Sequence, residues 1–546
     1  MPPWADSRRL FGASLWLESP GVVLDAALDP GRAVDELAQW RIRAQRITSA
    51  LGWRSTCTLR RRGDRAALAL TAPVDALMAA TLANEWAWTG AATDGDARAA
   101  ATMDPSEERL PADESAALAR LRELVAAEAN PALVALAGRA SAEQVPLLID
   151  EEVITLGYGA RGRTWPAREL PAPDAVEWPA LGAVPVALVT GSNGKTTTVR
   201  LVAAMLARAG HTVGFCCSDG VFIGGEQVER GDWSGPAGAR LVLRDPRVTA
   251  AVLETARGGL LRRGLVVPHA TAALVTNVAE DHFGGYGIES LIDLAEAKLV
   301  VARALGPEGT LLLNGDDVTL RAATEEYAGP IEWFSAASPS DLVPPADAMP
   351  LALGGAAWHN VANAVGAAQL ARALGVEREP IDLTLRSFGR ENADNPGRLE
   401  RFEVGGVRVW VDYAHNPHGL GELLFAAARQ RGGGRLGLLL GQAGDREDDA
   451  IRALARTAWA AHPERIVLKD LDDGYLRGRS PGEVPAILEA ELLAQGAPPE
   501  RISTVPDETS GVRALLEWAT VGDLLVLPVH ALSARERAIQ LVQNWT

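Results

Sequence analysis

The stretch VALVTGSNGKTTTVRLVAAMLARAG, residues 186–210, constrains the fold more tightly than any other part of this sequence. An apolar run ends at Thr190, a glycine-bounded polar loop follows, and an apolar-striped helical segment leads to Gly210. Strand, glycine loop and helix in that order put backbone N–H groups and a helix dipole where they can cradle phosphate. The common loop of this kind has a glycine six residues before its lysine. That position is Val189 here, so the loop is a shorter form: Gly191, Ser192, Asn193 and Gly194 precede Lys195, Thr196 and Thr197. In such a loop Lys195 would sit on the terminal phosphates and Thr196 would offer its hydroxyl to Mg2+.

The rhythm around the loop sets the fold class. VALVT, AAVLE, ALVTN and TLLLN are short apolar runs that each end in a polar or charged residue, with helical patterns between several of them. Runs apolar on both faces and alternating with helices indicate a parallel sheet. Ligands of such sheets lie at the strand C-termini, where Thr190, Glu254, Asn277 and Asn314 stand. A second, smaller unit follows PGRLERFEV, with runs VRVWVD, RLGLLL, RIVLK, RISTV and DLLVLPV, and reads as Rossmann-like without a dinucleotide fingerprint. Residues 1–180 keep no such rhythm. A helix near 34–51, a hairpin turning at Gly63-Asp64, helices around 74–88 and 113–140, and a two-strand piece near 145–159 are expected there. The proline-rich segment 168–185 reads as a linker. The expected organisation is therefore α/β. An α+β domain spans 1–180, a phosphate-loop domain 181–395 and a Rossmann-like domain 396–546.

A formal charge of −17 argues against nucleic acid or an anionic membrane as the main partner. The three cysteines, Cys57, Cys216 and Cys217, have neither disulfide-framework nor metal-site spacing. No uncharged run reaches membrane-span length, and the N-terminus has no signal-peptide pattern. A soluble cytoplasmic protein is expected.

Six further segments accompany the loop in order: LETARGG with Glu254, TNVAEDH with Asn277, Asp281 and His282, EAKLVVARAL with Lys298, LNGDD with Asp316, WHNVANAVGAA with Asn360 and Asn363, and NPGRLE with Arg398. A seventh, VDYAHNP, carries Asp412 and His415. Read alone, Glu254 could belong to a helix start and Asn360 and Asn363 to a surface. Together the segments resemble the Mur ligase family, ATP-dependent amide ligases. The resemblance implies that Glu254 and His282 bind Mg2+ and that Lys298 is a carbamylated metal-binding lysine. It implies that Asn277, Asp316, Asn360 and Asn363 contact the nucleotide. Arg398 would reach the γ-phosphate from the C-terminal domain, and Asp412 and His415 would close over ATP.

Residues 219–265, 441–449 and 476–485 resemble the Mur-ligase-like module of the cyanophycin synthetase family, and the residues upstream of Val186 are expected to be too few to hold that family's ATP-grasp module. One kind of ligation is expected: a carboxylate of a peptide or polymer, activated as an acyl phosphate, joined to an amino acid or dipeptide amine. The implied cofactors are ATP and two Mg2+ ions, held by Thr196, Glu254, His282 and Lys298. Lys195, Glu254, His282, Lys298 and Arg398 would be the catalytic set. A homodimer or larger homo-oligomer, and a second ligase as a partner, are further expectations. Arg262 and Arg263 could bind an acidic substrate or be a solvated basic pair. A non-catalytic scaffold and a peptidoglycan-precursor ligase are the alternative readings.

Overall fold

The run at 186–190 is an interior strand of an eight-stranded sheet, buried along its whole length. The computed structural model describes residues 4–90, 110–280, 283, 285–471 and 473–545. From edge to edge the sheet runs Glu226–Arg230, Gly220–Ile223, Val213–Cys217, Ala250–Glu254, Val186–Thr190, Ala270–Val275, Leu305–Asn314 and Ile331–Phe334. From Val213–Cys217 onward the strands are parallel, and an antiparallel hairpin over 220–230 extends the other edge. Helices Lys195–Arg208 and Trp358–Ala373 cover one face, where Val199, Leu206, Val361 and Leu370 pack on Val189 and Leu274. The opposite face is covered by helices Pro236–Arg244, Arg257–Arg263 and Leu291–Leu299.

The N-terminal region contributes a four-stranded antiparallel sheet in the order Trp4–Leu10, Gly21–Ala27, Arg65–Thr71, Cys57–Arg62. Helices Ala33–Ala50 and Leu77–Thr89 pack on it. The pattern read as helix over 113–140 is two helices, Glu114–Glu128 and Pro131–Ala142, separated where Asn130 caps the second through the Leu133 N–H at 3.0 Å. A proline following Asn130 cannot continue the first helix but suits the first position of the next. The small piece near 145–159 has a third strand, Arg163–Pro166. The segment read as a linker is packed: Val176, Trp178 and Leu181 are buried with Leu136, Val145 and Leu156, and the Trp178 indole N–H donates to the Pro173 carbonyl at 2.8 Å.

This N-terminal region shares a core with the central sheet. Leu10, Trp16, Val23 and Tyr158 belong to the same buried cluster as Val186, Leu188 and Leu253. Arg8 fastens the joint: its Nε donates to the Leu261 carbonyl at 2.9 Å, and its guanidinium lies against the rings of Trp16 and Tyr286 at 4.9 and 4.5 Å. Arg60 and Arg62 both reach Asp293 at the start of helix Leu291–Leu299.

The C-terminal unit is a six-stranded sheet in the order Glu400–Val404, Val407–Asp412, Leu524–Pro528, Leu436–Leu440, Arg465–Lys469, Ile502–Val505, with only the first pair antiparallel. Its helices are Pro417–Gln430, Asp448–Ala460, Glu483–Ala494, Glu508–Trp518 and Leu532–Gln543. All three cysteines are free thiols, and among the described residues no helix is long and apolar enough to cross a membrane.

Candidate functional site

The phosphate loop is shaped by two glycines that nothing else could replace. Gly194 ends the loop at φ +83°, and a Cβ on it would lie 2.2 Å from the Asn363 amide oxygen. Gly191 adopts φ +143°, and a Cβ there would meet the Thr276 hydroxyl at 1.8 Å. Only glycine accepts both the backbone conformation and the approach. The loop is then pinned from the neighbouring strand end. Ser192 N–H donates to the Asn277 carbonyl at 2.9 Å, and Asn193 N–H donates to Asn277 Oδ1 at 3.0 Å. Asn277 Nδ2 and the Thr276 hydroxyl both donate to the Asn193 carbonyl, at 3.1 and 2.6 Å. Asn277 therefore holds the loop itself.

Helix Lys195–Arg208 begins at Gly194, so the N–H groups of its first turn have no intrahelical partner and face the loop. Lys195 Nζ donates to the Ser192 carbonyl at 3.1 Å, over the same concavity. The Thr196 hydroxyl donates to Glu254 Oε2 at 2.8 Å and lies 3.1 Å from the Ser218 hydroxyl. Glu254 is 3% exposed, and its burial pushes the carboxyl above the ordinary carboxylate range, while the Lys195 charge and the Thr196 hydroxyl pull it down. An anionic oxygen beside a hydroxyl at the open end of a phosphate loop is a donor set suited to a hard divalent cation. The glycine cradle and this pair fit a nucleoside phosphate with Mg2+.

Arg398 arrives from the C-terminal side of the chain. Its Nη2 lies 3.4 Å from the Thr196 hydroxyl and donates to the Ser218 hydroxyl at 2.9 Å. The guanidinium stacks on the Tyr413 ring at 4.2 Å. Behind it, Asp219 receives Arg200 at 3.2 Å and Arg535 at 3.0 Å, the latter from the last helix of the chain. Although burial works against its charge, Arg398, Arg535 and Arg200 hold the Asp219 carboxyl below its usual range. Asn395 Nδ2 donates to the Thr197 hydroxyl at 3.1 Å, and Asn416 Nδ2 to Asn193 Oδ1 at 2.9 Å. Both sheets thus close on the one loop.

The remaining expected residues fall in different places. Asn360 and Asn363 are buried on helix Trp358–Ala373, not at a surface: Asn363 donates to Asn360 Oδ1 at 3.2 Å and Asn360 to the Leu351 carbonyl at 3.2 Å. Asp316 accepts from the Ser335 hydroxyl at 2.6 Å and the Ala336 N–H at 2.8 Å, tying the two strand ends beside the loop. Asp412 accepts from the N–H groups of Leu399 and Ala414, both at 2.7 Å, and so sets the backbone that carries Arg398. His415 Nδ1 lies 3.2 Å from the Tyr413 carbonyl. Lys298 is 2% exposed, near the end of helix Leu291–Leu299. Asp281 and His282 lie outside the described residues. Among the described residues no three His, Cys, Asp or Glu side chains cluster as a metal site.

Ser218, Asp219 and Tyr413 belong to the site, although no motif in the sequence marks them as site residues. Ser218 follows strand Val213–Cys217, whose VGFCC sequence carries a glycine and two cysteines in place of an aliphatic run and does not read as a strand. Had it been recognised, the rule that ligands lie at strand C-termini would have pointed to Ser218 and Asp219.

A cavity of about 1480 Å³ opens between the N-terminal sheet and the central domain. Seven arginines line it, among them Arg8, Arg60, Arg65, Arg262 and Arg263, against the carboxylates of Asp6, Asp25 and Glu85. Trp16, Trp86 and Tyr286 form parts of its walls, and Arg262 Nε donates to the Tyr286 hydroxyl at 2.7 Å. Arg262 and Arg263 stand on the helix that follows Glu254, so the cavity and the phosphate loop share one chain segment.

Residues 189–371 match the family model of the Mur ligase middle domain, and residues 397–528 that of the Mur ligase, glutamate ligase domain. The chain is 35% identical over 391 residues to a cyanophycin synthetase of Trichormus variabilis, covering 66% of this chain and 42% of that protein. It is 30% identical over 373 residues to the UDP-N-acetylmuramoyl-L-alanyl-D-glutamate–2,6-diaminopimelate ligase of Corynebacterium glutamicum, covering 62% of this chain and 69% of that one. The chain therefore spans less than half the length of the cyanophycin synthetases it matches. Among solved structures, E. coli FolC in complex with ADP aligns with a TM-score of 0.48 and 19% identity, over 66% of this chain and 89% of that one.

Proposed function

The chain belongs to the Mur ligase family, and from that premise we propose that it is an ATP-dependent carboxylate–amine ligase, joining an amino acid or dipeptide amine to a carboxylate-bearing peptide or polymer. The observation that carries this reading is Arg398, within hydrogen-bond reach of Thr196 and Ser218 above the phosphate loop. A carboxylate brought to a triphosphate is repelled by it, so a ligase must concentrate positive charge where the two meet. Lys195, from the phosphate loop, and Arg398, from the C-terminal side of the chain, would supply that charge. In the reaction a substrate carboxylate oxygen bonds to the γ-phosphorus and ADP leaves. The amine nitrogen then bonds to the acyl carbon, loses a proton, and phosphate departs. Magnesium held by Thr196 and Glu254 would screen the phosphate charge, with His282 and Lys298 as proposed ligands of a second ion.

The basic cavity supports the choice of an acidic acceptor. A chain of net charge −17 gathers seven arginines around one opening, five from the N-terminal sheet and two, Arg262 and Arg263, from the helix that follows Glu254. Aromatic walls interleaved with guanidinium groups suit an extended chain bearing carboxylates. The acceptor would lie in this cavity with one carboxylate directed at the loop.

The test is ADP and phosphate release from Mg-ATP over a panel of amino acids, dipeptides, short aspartate-rich peptides and UDP-muramyl peptides, with products identified by mass spectrometry. Substrate-dependent ADP formation, abolished by Lys195→Ala, is expected with an acidic peptide acceptor. A silent panel would favour a non-catalytic scaffold, and a response to UDP-muramyl peptides alone would favour a peptidoglycan-precursor ligase.

A further inference from the structure

The chain contains three lysines against 50 arginines. Lys195 opens the phosphate-loop helix, and Lys298 is buried near the end of its own helix. The third, Lys469, ends strand Arg465–Lys469 with no exposed surface. A sequence that uses arginine at nearly every cationic position keeps lysine where a planar guanidinium does not fit. A compact ammonium on a flexible stem fits there, at a cost in desolvation that its partners must offset.

Those partners are Glu508 and His530, both buried. Lys469 contacts the Glu508 carboxylate, and its Nζ lies 3.2 Å from His530 Nδ1. Glu508 also accepts the backbone N–H groups of His530 at 2.8 Å and Ala531 at 3.1 Å. An ammonium can only donate, so Nδ1 of His530 is the acceptor and Nε2 carries the proton. That proton points at the Ala414 carbonyl, 3.0 Å away. Burial and the Lys469 charge hold the imidazole neutral, with its pKa pushed down to about 3. The ring also meets Tyr413 edge-on at 5.6 Å between centroids.

The segment gripped in this way is the one that touches the phosphate loop. Tyr413 carries the Arg398 guanidinium on its face, and Asn416 donates to Asn193 inside the loop. We propose that Lys469, Glu508 and His530 form a buried brace that holds Tyr413–Asn416, and through it Arg398 and Asn193, in the position that closes the nucleotide site. The three are positioning residues, and the proposal rests on the ligase reading above.

The experiment measures Mg-ATP affinity by titration calorimetry, and the KM for ATP in ADP formation, for the full chain, Lys469→Met, Asn416→Ala and the double variant. Lys469→Met is expected to weaken ATP binding and raise its KM about tenfold, with kcat changed less than KM. The double variant should be no weaker than the weaker single one, because both changes act through the same segment. Thermal melting without nucleotide reports any purely structural loss, which would lower the midpoint and leave KM for ATP unchanged. If Lys469→Met does not fold, His530→Gln replaces it with the same expected shift. Wild-type ATP affinity in a folded variant, or losses that multiply in the double variant, would overturn the brace alone. Absence of Mg-ATP binding by the unmodified chain would overturn the ligase reading and the brace with it.

Discussion

The Thr196 hydroxyl donates to the buried Glu254 carboxylate at 2.8 Å, joining the start of one helix to the end of a neighbouring strand. Because its proton is committed to Glu254, the Thr196 oxygen keeps its lone pairs for donors, and Arg398 Nη2 approaches it at 3.4 Å. A single hydroxyl thus links the acidic, the phosphate-binding and the cationic parts of the site.

Replacing Glu254 by Gln should lower kcat by at least ~10²–10³, the scale of losing one electrostatic stabiliser. The melting temperature should stay the same or rise, since burial already disfavours the Glu254 charge. ADP release and a thermal melt on the same sample check both halves; a fall in activity that tracks unfolding would contradict the assignment.

Gly194→Ala should abolish nucleotide binding, whereas Gly210→Ala should not. Both glycines have positive φ, +83° and +94°, so each substitution carries backbone strain of about 1–2 kcal/mol. Only at Gly194 does the new Cβ also collide with Asn363; at Gly210 it meets open space. Titration of the two variants with Mg-ADP separates strain from collision.

Acid should weaken the fold in two separate windows. His530 titrates at about 3 in the folded chain, against an ordinary value of about 6.5. The unfolded chain therefore takes up this proton first, and the His530 contribution, full above pH 6.5, declines as pH falls towards 3. Asp293 is opposed by burial, but Arg62, Ser290 and Arg60 hold its carboxyl at about 2. Its contribution is full above about pH 4 and is lost as pH falls through 2. Urea midpoints measured against pH should lose the first slope in His530→Gln and the second in Asp293→Asn.

Reversing charge in the basic cavity should separate acceptor binding from ATP binding. Arg262→Glu with Arg263→Glu is expected to raise KM for an acidic peptide at least tenfold and leave KM for ATP unchanged. Added salt should weaken the wild-type acceptor interaction, as it screens exposed charges over about 10 Å. Equal acceptor KM in the paired variant would place the acceptor elsewhere.

The sequence by itself determined the phosphate loop, four of the six interior strands of the central sheet and most of the C-terminal sheet. Interior parallel strands are apolar on both faces, and a glycine loop between strand and helix is a local pattern. It also put Glu254 at its strand end, because that end coincides with the change from apolar to charged residues. The edge strand Glu226–Arg230 escaped it because it is exposed throughout, so burial leaves no alternation in it to read, and the interior strands Val213–Cys217 and Gly220–Ile223 escaped it as well. Only the tertiary structure decided that Asn277 pins the loop, that Ser218 and Tyr413 flank Arg398, and that residues read as a linker are packed. It alone decided that Leu10 and Trp16 share a core with the central sheet, and that Lys469 meets residues 39 and 61 positions away. Such contacts join segments far apart in the chain, so they depend on which faces pack together, and a local pattern of residues does not encode that choice.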